Sequence, residues 1–279
     1  MFEGHFNSKR FEEAGLKIDQ ERVLTYSKLS CPFDCRYCFA EDMNYNQNRD
    51  VAYLSSEQKE LLGNLPEQIK LIMLGCDTEF FQSKQNAHEI LNGLLVFKKD
   101  ISVVTKSFLS PDYIRQLKGV DEKLRQNNNS LFFSMSLPCF DSAEEWEPKA
   151  PAPEKRVETL ASVHEAGVRT LVAIRPLLPT ISEEELNRII DSTKRHASCY
   201  YSGPLYLKDL NSPLLTQEQV SNLNVERMQP HWMPDKNVFY RIEKEGQMEL
   251  LKKLIEDKGK LLFEGAADAI KHINEYEKY

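Results

Sequence analysis

The sequence predicts an α/β fold, a partial (β/α)6 barrel forming one core domain, and two observations carry that expectation. Apolar, β-branched runs alternate with helical patterns through the middle of the chain, which is the mark of repeated βα units around a parallel sheet. The length, 279 residues, suits one such barrel as a single unit. Cys31, Cys35 and Cys38 lie just beyond the first strand, where α/β barrels gather their reactive groups.

The first strand is Arg22 to Tyr26, and the cysteine loop leaves its C-terminal side before a helix over Ser55 to Gly63, with Ser55 or Ser56 as cap. The second strand, Lys70 to Leu74, precedes a helix from Asn86 to Phe97. The third, Ile101 to Thr105, precedes a helix opening at Ser110-Pro111, with Ser at N-cap and Pro at N1. The fourth, Leu131 to Ser136, follows a polar turn at residues 126–129. Its helix, Pro153 to Ala166, places Val157, Leu160, Ala161 and His164 at helical spacing and ends at Gly167. Strand five is Arg169 to Ile174, helix five Glu183 to His196, and strand six Cys199 to Leu207. Residues 1–15 read as an N-terminal extension, 16–210 as the core, and 211–279 as a C-terminal helical segment packed on it, with helices over Met248 to Ile255 and Ala266 to Ile273.

Composition excludes several classes of function. A hydrophobic fraction of 41% and a charged fraction of 28% are ordinary for a soluble globular chain, and no apolar run is long enough to span a bilayer. The stretch from Met1 to Gly15 is polar and charged, without the apolar centre of a secretory signal, so the expected compartment is the reducing cytoplasm. A net charge of −7 argues against a surface devoted to nucleic-acid phosphates.

The cysteine spacing, C-x3-C-x2-C with no fourth cysteine beside it, is the strongest chemical signal. Thiolates normally hold iron–sulfur clusters four at a time, so three local ligands leave one iron able to bind a group that is not protein. Structural zinc wants four ligands, usually as two close pairs, and no second pair exists. Disulfides between such near neighbours in a reducing compartment are disfavoured.

Followed by Phe39-Ala40, this spacing resembles the signature of the radical S-adenosylmethionine (radical SAM) superfamily. The resemblance implies a 4Fe-4S cluster on Cys31, Cys35 and Cys38, whose fourth iron chelates SAM, and a TIM-type partial barrel. It also implies reductive cleavage of SAM to a 5′-deoxyadenosyl radical that takes a hydrogen atom from a substrate. Further segments resemble the spore photoproduct lyase-like branch: Leu74 to Gln82, Val104 to Ser107, Phe133 to Ser136, Glu147-Pro148 ahead of Arg156, Ala166-Gly167, and Arg175 to Pro179. By that resemblance Tyr37 packs near the SAM adenine, Gly75 keeps part of a segment touching the SAM amino group, and Lys106 with Ser134 or Ser136 contacts SAM. Cys76 falls where the branch has a hydrogen-atom donor.

Each assignment has a plainer reading beside it. Tyr37 also reads as a loop-packing aromatic, and Cys76 as a small buried hydrophobe. Lys106 is raised above an ordinary surface lysine only by following a buried strand. Arg175, ending strand five, is expected to reach the SAM carboxylate or an acidic group of the substrate. Glu147 and Arg156 read as an ion pair bracing the loop after strand four, Cys139 as a second thiol near the mouth, and Cys199 and His164 as structural. Trp232 lines a substrate pocket or packs the C-terminal cap.

The leading expectation is therefore an enzyme performing a radical rearrangement, scission or epimerisation, fed by a reductant such as flavodoxin or ferredoxin. Its substrate, whether a small molecule, a peptide or a nucleotide, is not set by these residues. The rivals are DNA lesion repair of the spore photoproduct lyase type, with DNA the disfavoured partner, and a non-enzymatic iron–sulfur or zinc protein. No membrane partner is expected.

Overall fold

The computed structural model describes residues 8–39, 53–210, 215–232 and 237–276. Residues 1–7 of the expected N-terminal extension lie outside the described residues, as does Ala40 of the cysteine signature. The strands are short and apolar because both of their faces are covered. They are β1 (Leu16–Asp19), β2 (Arg22–Thr25), β3 (Leu71–Leu74), β4 (Asp100–Thr105), β5 (Leu131–Ser136), β6 (Arg169–Ile174) and β7 (Cys199–Ser202). Pairing runs in that order, antiparallel between β1 and β2 and parallel from β2 to β7.

Helices α1 (Ser8–Glu13), α2 (Ser56–Leu62), α3 (Lys84–Leu94), α4 (Pro111–Arg125), α5 (Ala143–Trp146), α6 (Pro153–Glu165) and α7 (Glu183–Thr193) fill the connections. Their starts follow local chemistry. Ser55 makes a reciprocal capping box with Gln58, and Ser110 accepts from the Tyr113 N–H ahead of Pro111 at the first turn. Gly167 takes a φ of +86° where α6 must stop and turn into β6.

The expected sixth strand, Cys199 to Leu207, divides in two. β7 ends at Ser202, and Leu205–Leu207 forms β8 in a separate antiparallel sheet. Pro204 has no N–H to continue a ladder. Gly203 is crowded as well: a Cβ there would lie 2.8 Å from Nη1 of Arg175. The tail is also not helical alone. After α8 (Gln217–Ser221), β9 (Asn224–Met228) and β10 (Phe239–Glu243) pair beside β8 in the order β8-β10-β9. The expected helices are present as α9 (Gln247–Glu256) and α10 (Ala266–Tyr276). Between them β11 (Leu262–Phe263) adds a further parallel strand to β7, with Leu262 opposite Tyr200.

The two faces of the large sheet are covered differently. On one, Ile72, Val103, Phe133 and Val172 pack with Leu91, Leu117, Leu160 and Ile189 of the outer helices. On the inner face Leu71, Phe132, Leu171, Cys199 and Tyr201 pack with Ala266, Ala269, Ile270 and Ile273 of α10. Helix α10 runs antiparallel to the strands. Asn274 near its end donates to Asp100 at 2.8 Å and accepts from Arg169 at 2.6 Å, and these two residues begin β4 and β6. At the other end Glu264, just ahead of α10, accepts from Arg175 beyond β6. The inner face is thus filled from below by α10, and the space at the C-terminal strand ends is left to polar groups.

Candidate active site

The cysteine loop leaves β2 and lies across the ends of β3, β4 and β5. Two backbone bonds shape it: Cys38 N–H donates to Cys35 O at 2.8 Å, and Arg36 N–H donates to Trp146 O at 2.9 Å. Cys35 is buried, whereas Cys31 and Cys38 are half-buried, and none of the described cysteines is in a disulfide. Burial pushes the Cys35 thiol up to about 11, and the Lys106 ammonium is the largest opposing influence. Burial also raises Cys31, against a backbone hydrogen bond from Phe33 and the Lys106 charge.

The donor set suits an iron–sulfur centre. Three soft sulfurs sit in one loop, two of them close enough to perturb one another's ionisation, with a cation at hand to favour thiolates. Among the described residues no group of three or more His, Cys, Asp or Glu side chains is placed to hold a metal ion, Cys31, Cys35 and Cys38 included, so the fit rests on the chemistry of the three thiols and their spacing.

Below the loop lies a buried polar cluster. The Tyr37 hydroxyl donates to Oε1 of Glu147, and Nη1 of Arg156 donates to Oε2. Lys106 Nζ stands 3.6 Å from Oε1 of Glu147 and 5.6 Å from the centroid of the Tyr37 ring. Arg156 also donates to Pro151 O at 2.7 Å and Ser136 O at 3.3 Å, so the expected brace of the loop after β5 is present. Cys139 is fully buried beside Glu147 and Arg156, which places its thiol in this cluster rather than at the open mouth. Desolvation works to lower Lys106, but Cys35 and Glu147 outweigh it and hold the ammonium above its usual range.

The segment after β3 is set by Gly75, whose φ is +81° and where a Cβ would fall 2.3 Å from the Val104 carbonyl oxygen. That approach brings the β3 and β4 ends together and presents the next residue, Cys76. Its half-buried thiol donates to Met73 O at 3.5 Å and is pushed up to about 12 by burial and by Asp77. Asp77 accepts from Lys28 N–H at 2.8 Å and from the Ser27 hydroxyl at 3.2 Å, which ties this segment to the start of the cysteine loop. Glu79 binds the next strand: it accepts from Thr105 Oγ1 at 2.7 Å and Lys106 N–H at 3.1 Å.

Ser134 and Ser136 are both buried on β5, two residues apart and so on one face. The Ser134 Oγ has no hydrogen-bond partner of good geometry, and the Tyr201 hydroxyl faces it. Arg175, Cys76 and Lys106 lie within electrostatic reach of the same hydroxyl. Tyr201 thus joins four of the expected site residues. Alternation along β7 puts it on the inner face with Cys199, which is the signal that would have found it. Arg175 is anchored, with Nη1 donating to Glu264 O at 2.9 Å and Ser202 O at 3.4 Å. Trp232 packs rather than standing open: its ring lies 5.7 Å from both Phe39 and Tyr206, and its carbonyl accepts from the Tyr26 hydroxyl at 2.8 Å. Its neighbours Met233 and Pro234 lie outside the described residues. Cys199 is core, and His164 meets Thr170 and His196 on the outside of the sheet.

Residues 29–193 match the family model described as the radical SAM superfamily, which is more than half of the chain. The chain belongs to the radical SAM superfamily. The superfamily's members are enzymes that perform SAM-dependent radical chemistry. Among curated proteins, MJ0683 of Methanocaldococcus jannaschii, itself uncharacterized, is 25% identical over 201 residues, covering 69% of this chain and 73% of that one. Rv2578c of Mycobacterium tuberculosis, also uncharacterized, is 22% identical over 177 residues, 57% of this chain and 51% of that protein. Of solved structures, Streptococcus suis SuiB bound to S-adenosylmethionine superposes with a TM-score of 0.57 at 11% identity, covering 92% of this chain and 53% of SuiB. Spore photoproduct lyase complexed with dinucleoside spore photoproduct superposes with a TM-score of 0.59 at 11% identity, covering 84% of this chain and 74% of the lyase. The chain therefore spans about half the length of SuiB and of the mycobacterial relative, and the solved structures share its fold. No described helix is long and apolar enough to cross a membrane.

Proposed function

We propose that this chain is a radical SAM enzyme whose Cys31, Cys35 and Cys38 hold a 4Fe-4S cluster and whose Cys76 returns a hydrogen atom to a substrate radical. The observation that carries the reading is the presence of three cysteines in one loop beside the Lys106 ammonium, with the Tyr201 hydroxyl within electrostatic reach of both Lys106 and the Cys76 thiol. Cluster and SAM, when bound, supply a one-electron cleavage of a sulfonium and a carbon radical able to take hydrogen from a C–H bond.

The chain's own groups then have separable tasks. Lys106 offers a point charge for the SAM carboxylate, and the hydroxyls of Ser134 and Ser136 suit ribose hydroxyls. Tyr37 provides a ring for the adenine, Gly75 a close backbone approach, and Arg175 a guanidinium at the mouth. Cys76 is suited to donating a hydrogen atom because its raised thiol, about 12, keeps the S–H intact at neutral pH. Donation breaks that S–H bond, forms a C–H bond on the product and leaves a thiyl radical on Sγ. Reducing that thiyl would take one electron, from the same class of low-potential electron donor that feeds the first step, and one proton from solvent. A redox-neutral lyase or epimerase fits this cycle, with flavodoxin or ferredoxin as the electron source for the first step. All the proposed ligands fall within residues 16–210, and α10 packs on the inner face of the same sheet. A net charge of −7 weighs against duplex DNA as the substrate.

Anaerobic incubation with SAM and dithionite, scoring 5′-deoxyadenosine, tests the reading. Cys31→Ala is expected to abolish the nucleoside, whereas Cys76→Ala retains it but diverts or stalls the product. Native nucleoside formation by Cys31→Ala overturns the cluster assignment, and native product from Cys76→Ala overturns the donor.

A further inference from the structure

The geometry points to Glu147 as a positioning residue that joins the metal-binding loop to the Lys106 ammonium through one carboxylate. This rests on the proposed function for the role of Lys106, but not for the joint itself. Glu147 is fully buried, with a side-chain exposure of 0%. An isolated carboxylate in that position is strongly disfavoured, and its retention requires cations and donors on both oxygens.

Those groups come from three separate elements. Oε2 receives Nη1 of Arg156, from α6. Oε1 receives the Tyr37 hydroxyl, from the cysteine loop, and faces Lys106 Nζ, from the end of β4, at 3.6 Å. The loop is fastened at the preceding position too, by Arg36 N–H on Trp146 O at 2.9 Å. A simple brace of the loop after β5 needs only Arg156, which already holds the Ser136 and Pro151 carbonyls. The other oxygen is spent on the two groups that the proposed function places against the cofactor.

Charge gives the arrangement its direction. One carboxylate between Lys106 and Arg156 leaves one net positive charge, and Lys106 is the cation felt most strongly by Cys35. Glu147 holds that ammonium 3.6 Å from its Oε1 and 5.6 Å from the Tyr37 ring centroid instead of letting it collapse onto the thiolates. Glutamine has the same shape but only one acceptor oxygen. Glu147→Gln can still accept from Arg156 and can meet Tyr37 only by donating to its hydroxyl oxygen, so the bond from Tyr37 to a charged acceptor and the counter-charge to Lys106 are both lost.

Two measurements on one set of variants test the proposal. In the metal-free protein, anaerobic alkylation of Cys31, Cys35 and Cys38 by iodoacetamide, resolved by peptide mapping, reports how firmly the loop is held. Glu147→Gln and Tyr37→Phe are expected to accelerate it roughly tenfold, the factor for one lost hydrogen bond to a charged group. Lys106→Met leaves the Tyr37–Glu147 bond in place and removes the cation that favours the Cys35 thiolate, so it is expected not to accelerate alkylation. In the reconstituted protein, SAM binding followed by the cluster spectrum is expected to weaken roughly tenfold in both Glu147→Gln and Lys106→Met. The double variant weakens it no further than Lys106→Met alone, because Glu147 acts through Lys106.

A native alkylation rate in Glu147→Gln overturns the joint, and should that variant fail to fold, a native rate in Tyr37→Phe does so. Additive losses of SAM affinity in the double variant overturn positioning and leave a merely structural role. Native SAM affinity in Lys106→Met refutes the proposed cofactor contact of Lys106, and with it the cofactor half of this inference, while the alkylation result still decides the joint.

Discussion

Replacing Arg156 with Met keeps volume and apolar stem but removes the guanidinium that sits at 0% exposure against Glu147. Breaking one side of a buried pair costs about 3–5 kcal/mol, because the remaining charge is left without compensation. Two features shift the expectation within that range. Lys106 at 3.6 Å and the Tyr37 hydroxyl still face Glu147, which lowers the cost. The carbonyls of Pro151 and Ser136 lose their donor, which raises it by about 1 kcal/mol each. The expected loss is about 4 kcal/mol, a large share of the 5–15 kcal/mol typical of a folded chain. In a protein of 279 residues it corresponds to a fall in Tm of roughly 7 °C. Urea unfolding of the metal-free protein, followed by circular dichroism, measures it directly. A loss below about 1 kcal/mol would refute the reasoning, since it would mean that Glu147 is solvated or neutral in the folded state.

Further outcomes follow from the same geometry. Gly75→Ala places a Cβ 2.3 Å from the Val104 carbonyl oxygen at a φ of +81°, so the β4 end must move; a destabilisation of about 2–4 kcal/mol is expected in denaturant titration. A loss under about 1 kcal/mol would show that the two strand ends part freely. Burial raises Asp77 from 3.8 to about 6, so the folded chain holds a proton that the unfolded chain has released. Its contribution is complete below about pH 4 and is lost as pH rises towards about 6, a difference of roughly 3 kcal/mol. Asp77→Asn removes that part of the pH slope, and an unchanged slope in urea midpoints between pH 4 and 7 would contradict the assignment.

The legible parts of the fold were those written in local pattern. β5 and β6 match their expected bounds, Ser110 caps the start of α4 and Gly167 follows the end of α6 as expected, and of the two candidate caps Ser55 and Ser56 it is Ser55 that starts α2, because caps and apolar runs act through neighbours in sequence. β8 was misread because Leu205 and Leu207 continue the apolar run of β7, and only Gly203-Pro204 and the crowding by Arg175 show the break. β11 has two residues, too few for any periodicity, and β9 is exposed along most of its length, so neither carries a buried-strand pattern. At the site, the cysteine spacing and the Glu147–Arg156 pair were visible in the sequence. The Tyr37 and Lys106 contacts to the same carboxylate were not, since residues 37, 106 and 147 meet only through tertiary packing.

The central claim is that three thiolates leave one iron open to SAM. The most direct test is the electron paramagnetic resonance spectrum of the anaerobically reconstituted, reduced protein, recorded with and without SAM. A SAM-dependent change in the cluster signal is expected, and it disappears in Cys31→Ala, Cys35→Ala and Cys38→Ala. A reconstituted metal centre whose spectrum is identical with and without SAM would contradict it.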